Sequence, residues 1–141
     1  MAINPEKLMA FMGKLVGDLG AMASIGPMLV GEKLGLYKAM ADGVPINAAE
    51  LANKTSTNER YVHEWLCSQA ASGFVEYDAA AGRFSMTEEQ AAALGTEGGP
   101  FYFLGAIEVA VAMVRDEPKV VRFATVGCPA WLPELPHREH G

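Results

Sequence analysis

His63 and Cys67 stand four residues apart, a spacing that sets two side chains on one face of a helix. Thiol beside imidazole is the minimum of a nucleophilic pair, since the ring can take the thiol proton. No third group that would orient the ring is evident, and a small buried thiol on an ordinary helix accounts for Cys67. His137, Glu139 and His140 carry metal-ligating atoms, but no helix or second cluster fixes their geometry, so no metal site is expected. Glu108 is the one charge in the apolar run from Phe101 to Val114. Such a carboxylate either faces a cavity or marks the solvent side, and the second reading is the simpler. The glycine cluster Gly95-Thr96-Glu97-Gly98-Gly99-Pro100 follows a helix instead of joining a strand to one. Its spacing is wrong for a dinucleotide or S-adenosylmethionine turn, and it reads as a loop.

The elements that would position these groups begin with Asn4-Pro5-Glu6, a capping side chain, a proline at the first helical position and an acid in the first turn. Leu8, Met9, Phe11, Met12, Leu15, Val16 and Leu19 then form a broad helical stripe. Gly20 to Gly31 is apolar on all sides, and Pro27 is expected to bend or break it. A further helical stretch carries Leu34, Leu36, Tyr37 and Met40 and stops at Asp42-Gly43. Six of the eight methionines fall in the first forty residues. Ordinary core packing is one reading of these residues; with too few polar residues to cover a solvent face, the helices favour an intermolecular contact through Leu8, Phe11, Met12, Leu15, Leu19, Met22 and Met28.

Asn47 can cap a short helix that runs out near Lys54. Thr55-Ser56-Thr57 is a polar turn, and Thr57 can cap a second helix with Tyr61, Val62, Trp65, Leu66, Gln69 and Ala70 on one face. It ends at Ser72-Gly73, where glycine suits the left-handed cap. The period then changes to two: Phe74 to Tyr77 as a strand, Asp78 to Gly82 as a turn, Arg83 to Met86 as the return strand. Helix, tight turn, longer helix and hairpin is the order of a winged helix-turn-helix. Thr87-Glu88-Glu89-Gln90 opens a short helix ending near Gly95, and Phe101 to Val114 is again helical. The fold expected is mainly α, a winged helix-turn-helix with a small two-stranded β-hairpin and extra N- and C-terminal helices. It occupies residues 1–123, and an irregular tail with proline and histidine occupies 124–141.

The chain has 141 residues, a formal charge of −6 and 20% charged residues, which fits one globular domain. Between Asn47 and Met86 stand five acids (Glu50, Glu59, Glu64, Glu76, Asp78) and three bases (Lys54, Arg60, Arg83), a charge of −2. That balance opposes phosphate binding. If the domain nevertheless read DNA, Asn58, Arg60, His63 and Arg83 would do so. Cys67 and Cys128 match no metal spacing. Leu19 to Gly31 is too short to cross a bilayer, no signal peptide opens the chain, and a cytoplasmic location with no membrane partner is expected.

Gly31 to Gly43, Ala48 to Asp78 and Gly82 to Leu94 resemble the N-terminal winged-helix domain of class I S-adenosylmethionine-dependent methyltransferases. Arg60 to Leu66 is the most specific part, and the resemblance covers roughly residues 5 to 123. It implies a helical homodimer held by the N-terminal segments, with winged-helix elements used for packing. It also implies that Phe101, Tyr102 and Glu108 lie near a domain junction and substrate cavity. In that family a catalytic domain follows, whereas this sequence stops at Gly141, so no catalytic, cofactor-binding or metal residue carries over. The expectation is a non-catalytic dimerisation and interaction domain with no cofactor, not an enzyme. A winged-helix regulator binding DNA is one alternative. Another is a helical binder of a small hydrophobic molecule, with a cavity lined by Phe101, Tyr102, Phe103 and Trp131. A catalytic domain in another chain is a further candidate partner.

Overall fold

The computed structural model describes residues 3–126, and the chain divides after Ile107 into two compact units. The first is the winged helix. Helix α1 (Pro5–Lys33) starts as its sequence dictates, with the Asn4 side chain accepting from the Lys7 backbone N–H at 3.1 Å and Pro5 at the first helical position. Of the bend or break expected at Pro27, the break does not occur: α1 runs unbroken through it. Gly26 has no Cβ for the proline ring to meet, which relieves the usual restriction on the preceding residue. The Pro27 carbonyl also accepts a hydrogen bond from the Trp65 indole N–H at 2.8 Å, which ties the proline turn to the core. The resulting 29-residue helix is long and apolar enough to cross a membrane by length and composition, a test that core helices of soluble proteins also pass.

Gly35 takes a left-handed conformation (φ +68°) and turns the chain into α2 (Leu36–Met40). Helix α3 (Ala48–Thr55) carries the expected cap, in full reciprocal form: the Glu50 N–H donates to Asn47 Oδ1 at 2.9 Å, and the Asn47 N–H donates to Glu50 Oε2 at 3.0 Å. Ser56 (φ +55°) makes the tight turn. Helix α4 (Glu59–Ala71) is capped by Asn58, not by Thr57. The Thr57 hydroxyl is instead taken up in the turn, 2.8 Å from that of Thr55. Gly73 (φ +75°) then closes α4 as anticipated.

Strands β1 (Glu76–Asp78) and β2 (Arg83–Ser85) form the antiparallel wing, with Tyr77 opposite Phe84. Their rings stack across the pair at 4.7 Å. Ile46, just before α3, bridges Phe84 on the other side of β2 through two 2.8 Å hydrogen bonds. Helix α5 (Glu88–Gln90), opened by a Thr87–Gln90 capping box, continues into a π-helical turn at Ala91–Gly95. Phe101 to Phe103 lie before helix α6 (Leu104–Arg115), not within it as expected.

The core is centred on Leu36, Tyr37, Met40, Leu51, Val62 and Leu66, all essentially inaccessible to solvent. Tyr37 packs edge-on to Trp65 with ring centroids 4.9 Å apart, and its hydroxyl donates to the buried Gln69 side chain. Burial pushes the Tyr37 hydroxyl well above the ordinary tyrosine range. Of the face expected on α4, Tyr61 is the exception: it is 76% exposed. The described part of the second unit holds the end of α6 and helix α7 (Glu117–Val126). Residues 124–126 of the expected tail therefore close a helix, and the remainder of that tail lies outside the described residues.

Candidate functional site

Three places on the first unit carry groups that a partner or ligand could use. The first is the outer face of α1. Leu8, Phe11, Met12, Leu15, Leu19 and Met22 are all exposed, as are Met9 and Val16 between them. Met28 does not join them. It is 6% exposed and belongs to the chain's own core, because α1 docks on the body of the domain from there onward. Gly31 shows how closely: a Cβ on it would lie 2.4 Å from Trp65 Cζ2 and 2.7 Å from Tyr37 Cε2.

The second place is the outer face of the helix-turn-helix. Asn58 spends its side chain on the α4 cap. Arg60 and His63 are exposed. Arg83 is fully engaged: its guanidinium donates to both Glu50 carboxylate oxygens at 2.8 Å and to the Pro45 carbonyl at 2.7 Å. The Arg83 hydrogen bond holds the Glu50 carboxyl below the usual range, and the same bond raises Arg83. Lys54 is engaged too, donating to the Ala39 carbonyl at 2.5 Å and to Asp42 at 3.1 Å. Two of the three cations between Asn47 and Met86 are thus held by carboxylates. Next to the wing, Glu59, His63, Tyr77 and Phe84 line a shallow hollow of about 260 Å³. His63 and Cys67 do lie side by side, with the sulfur 3.9 Å from both ring nitrogens. Equal distances to both nitrogens mean the sulfur has no directional bond to either. Cys67 is exposed, which corrects the expectation of a buried thiol.

The third place is a cavity of about 130 Å³ between the end of α1, α2 and the π-helical turn. Tyr102 lines it, as the sequence suggested, and donates its hydroxyl to Glu32 Oε1 at 2.9 Å. Phe101 and Phe103 do not line it; they are 73% and 62% exposed. Glu108 is exposed, so it is a solvent-side charge and not a cavity carboxylate. Glu32, Tyr37, Lys38 and Glu97 form the rest of the polar lining, and sequence reasoning missed them. Glu32 looked like part of an ordinary helix end, and its partner Tyr102 is 70 residues away. Gly95 borders the same cavity, and a Cβ there would fall 2.7 Å from Ala41 Cβ. Its glycine therefore serves close packing. Trp131, Cys128, His137, Glu139 and His140 lie outside the described residues. Among the described residues no group of three or more His, Cys, Asp or Glu side chains is placed to hold a metal ion.

The family model described as the Rv2258c-like winged helix-turn-helix domain matches residues 19–96, more than half of the chain. The chain belongs to that family. No curated protein sequence matches it. Among solved structures it is similar to human N-acetylserotonin methyltransferase in complex with SAM, with TM-score 0.63 and 16% identity over 86% of this chain and 39% of that one. It is also similar to an O-methyltransferase family protein from Burkholderia thailandensis (TM-score 0.63, 15% identity, 87% and 34% covered). A third, PigF with SAH, gives TM-score 0.63 and 13% identity over 88% and 33%. The chain therefore spans about a third of the length of the structures it matches, and the likeness is one of fold. Within the Rv2258c-like domain, the matched span takes in the docked end of α1, both helices of the helix-turn-helix, the wing and most of the cavity. Leu8 to Leu15 precede it and Tyr102 follows it.

Proposed function

We propose that this Rv2258c-like domain is a non-catalytic dimerisation and interaction domain of the kind that fronts small-molecule methyltransferases. It acts in the cytoplasm as a homodimer joined through α1. The observation that carries this reading is the row of six large apolar side chains from Leu8 to Met22, exposed on a helix whose other end closes the core without them. Each is worth about 1.5–3 kcal/mol when fully buried. These six are 44–67% exposed, so about half of that gain remains for each. Twelve across a two-fold axis bring a sum of the same order as an association cost of about 4–15 kcal/mol. The methyltransferase-like fold of the solved neighbours supports the reading, with a catalytic domain as the second partner the dimer would serve.

Sedimentation velocity over a wide concentration range tests it. Wild type is expected to dimerise, and Met12→Glu with Leu19→Glu to give a monomer with unchanged circular dichroism. A wild-type monomer at high concentration, or a double variant that still dimerises, rejects the reading. So does partition of wild type into neutral lipid vesicles without self-association.

The order α3, turn, α4, hairpin favours a second reading, a DNA-binding regulator that uses Arg60. Against it stand the −2 charge of residues 47–86 and the engagement of Arg83 by Glu50. Fluorescence anisotropy with mixed genomic duplex DNA at low and moderate salt separates the two. Saturable, salt-sensitive binding that is weakened by Arg60→Ala would establish the regulator.

A further inference from the structure

The exposed stripe on α1 has a period. Leu8, Met12, Leu15, Leu19, Met22 and Gly26 follow one another at steps of four, three, four, three and four residues. That is the heptad spacing at which two helices wind together along one seam. The five large side chains are exposed, and a Cβ on Gly26 would meet nothing within 4 Å. The next seam position, Leu29, packs against the domain's own core, so the open seam ends at Gly26. At about 100° per residue, Met28 and Gly31, which dock on the body, lie about 140–160° around the helix from Leu15. The body therefore leaves the seam clear. Only Lys14 and Asp18 carry charge between Leu8 and Gly26, and they pair with each other.

We infer that the seams of two copies pair antiparallel, with Leu15 of each level with Leu19 of the other, Met12 with Met22, and Leu8 seated over Gly26. The inference rests on the dimerisation reading and specifies its contact. Parallel pairing sets every residue level with itself. Gly26 would then face Gly26 across a gap, and Met12 and Leu19 would hold the positions where parallel pairs favour β-branched residues. Antiparallel pairing instead fills the space over Gly26 with Leu8 and aligns the helix dipoles favourably. The register is also fixed. A slip of one heptad either way sets Met22 level with Pro5 or Leu8 level with Lys33. A large apolar side chain carries about 60–120 Å², from 1.5–3 kcal/mol at 25 cal/mol per Å². With Met9, Phe11 and Val16 on the flanks, each copy offers eight such side chains, about half exposed. Together they cover roughly 500–1,000 Å² of side chain alone, near the ~1,000 Å² that a specific interface needs.

The test uses the full chain with Cys67→Ser and Cys128→Ser, which removes both native thiols. Met12→Cys and Met22→Cys are placed in separate chains, one of them carrying a tag that changes its size. Sedimentation velocity of the reduced proteins comes first. Each variant is then oxidised by copper-catalysed air oxidation, alone and as an exchanged mixture. Antiparallel pairing predicts a disulfide between the two chains in the mixture and none in either variant alone. Like positions would lie ten residues, about 15 Å, apart along the seam, and a disulfide spans no more than about 7 Å between Cα atoms. Self-linking of either variant overturns the inference, and so does a dimer that links in no combination; the dimerisation reading survives both. Protein that stays monomeric at high concentration, wild type included, overturns the two together. Should a cysteine variant be monomeric where wild type dimerises, Leu8→Cys and Gly26→Cys repeat the test at the ends of the seam.

Discussion

The two ends of α1 face opposite demands. From Ser24 onward the helix is pressed into the domain: Pro27 receives the Trp65 indole, Met28 is buried, and Gly31 gives up its side chain so that Trp65 and Tyr37 can close in. From Leu8 to Met22 the same helix leaves large apolar side chains exposed, and a Cβ added at Gly13, Gly17 or Gly20 would meet nothing within 4 Å. An apolar stripe in a sequence thus says that burial is wanted, not whether the chain itself provides it. The docked end answers to residues of its own fold; the free end is covered only in the dimer proposed above.

That contrast can be broken most severely at Gly31. Gly31→Val puts a branched side chain where one Cβ already collides with two rings, and about 3 kcal/mol or more of folding stability should be lost in urea unfolding. Next comes Tyr37→Phe, which leaves the buried Gln69 carbonyl without its donor; a loss of about 1–3 kcal/mol is expected in the same measurement. The free end should behave differently. The Met12→Glu and Leu19→Glu pair should change unfolding of the monomer by no more than about 0.5 kcal/mol, while abolishing self-association.

How much of this was legible depended on reach along the chain. The caps at Asn4, Asn47 and Thr87, the left-handed Gly73 and the alternation of the wing are decided within a few residues, and they emerged from the sequence. The continuity of α1 at Pro27 has no local signal, since the group that binds the Pro27 carbonyl is an indole 38 residues away. Tyr61 and Cys67 sit at spacings that suit a buried face, yet α4 has neighbours on one side only, and both look outward. The Ile46 bridge, the Glu50–Arg83 pair and the Glu32–Tyr102 bond join residues with no local pattern between them. Of the candidate site, the apolar side chains assigned to a contact on α1 are exposed apart from Met28. Only Tyr102 of the cavity was anticipated.

The smallest expected effect concerns the wing, which is fastened to α3 by Glu50 and Arg83. Because Arg83 holds the folded-state Glu50 carboxyl below its ordinary 4.5, the pair stabilises the fold above that value. Its contribution fades as pH falls through the lowered folded value. Arg83→Met should therefore lower thermal stability slightly at neutral pH, flatten its acid-side slope below about pH 4.5, and match wild type at the lowest pH. Thermal melts of both proteins across that range, at low and high salt, check it; equal slopes would remove the pair from the account.

Gly31 also makes α1 a lever. The helix is clamped over its last two turns, and the roughly 20 residues before them extend about 30 Å at 1.5 Å per residue. A tilt of about 5° at the clamp moves the far tip by about 2.6 Å over that length, close to half a helical turn. In the dimer proposed above, the shape of the Trp65 and Tyr37 rings under one glycine would therefore set, at long range, which register a partner helix takes at Leu8.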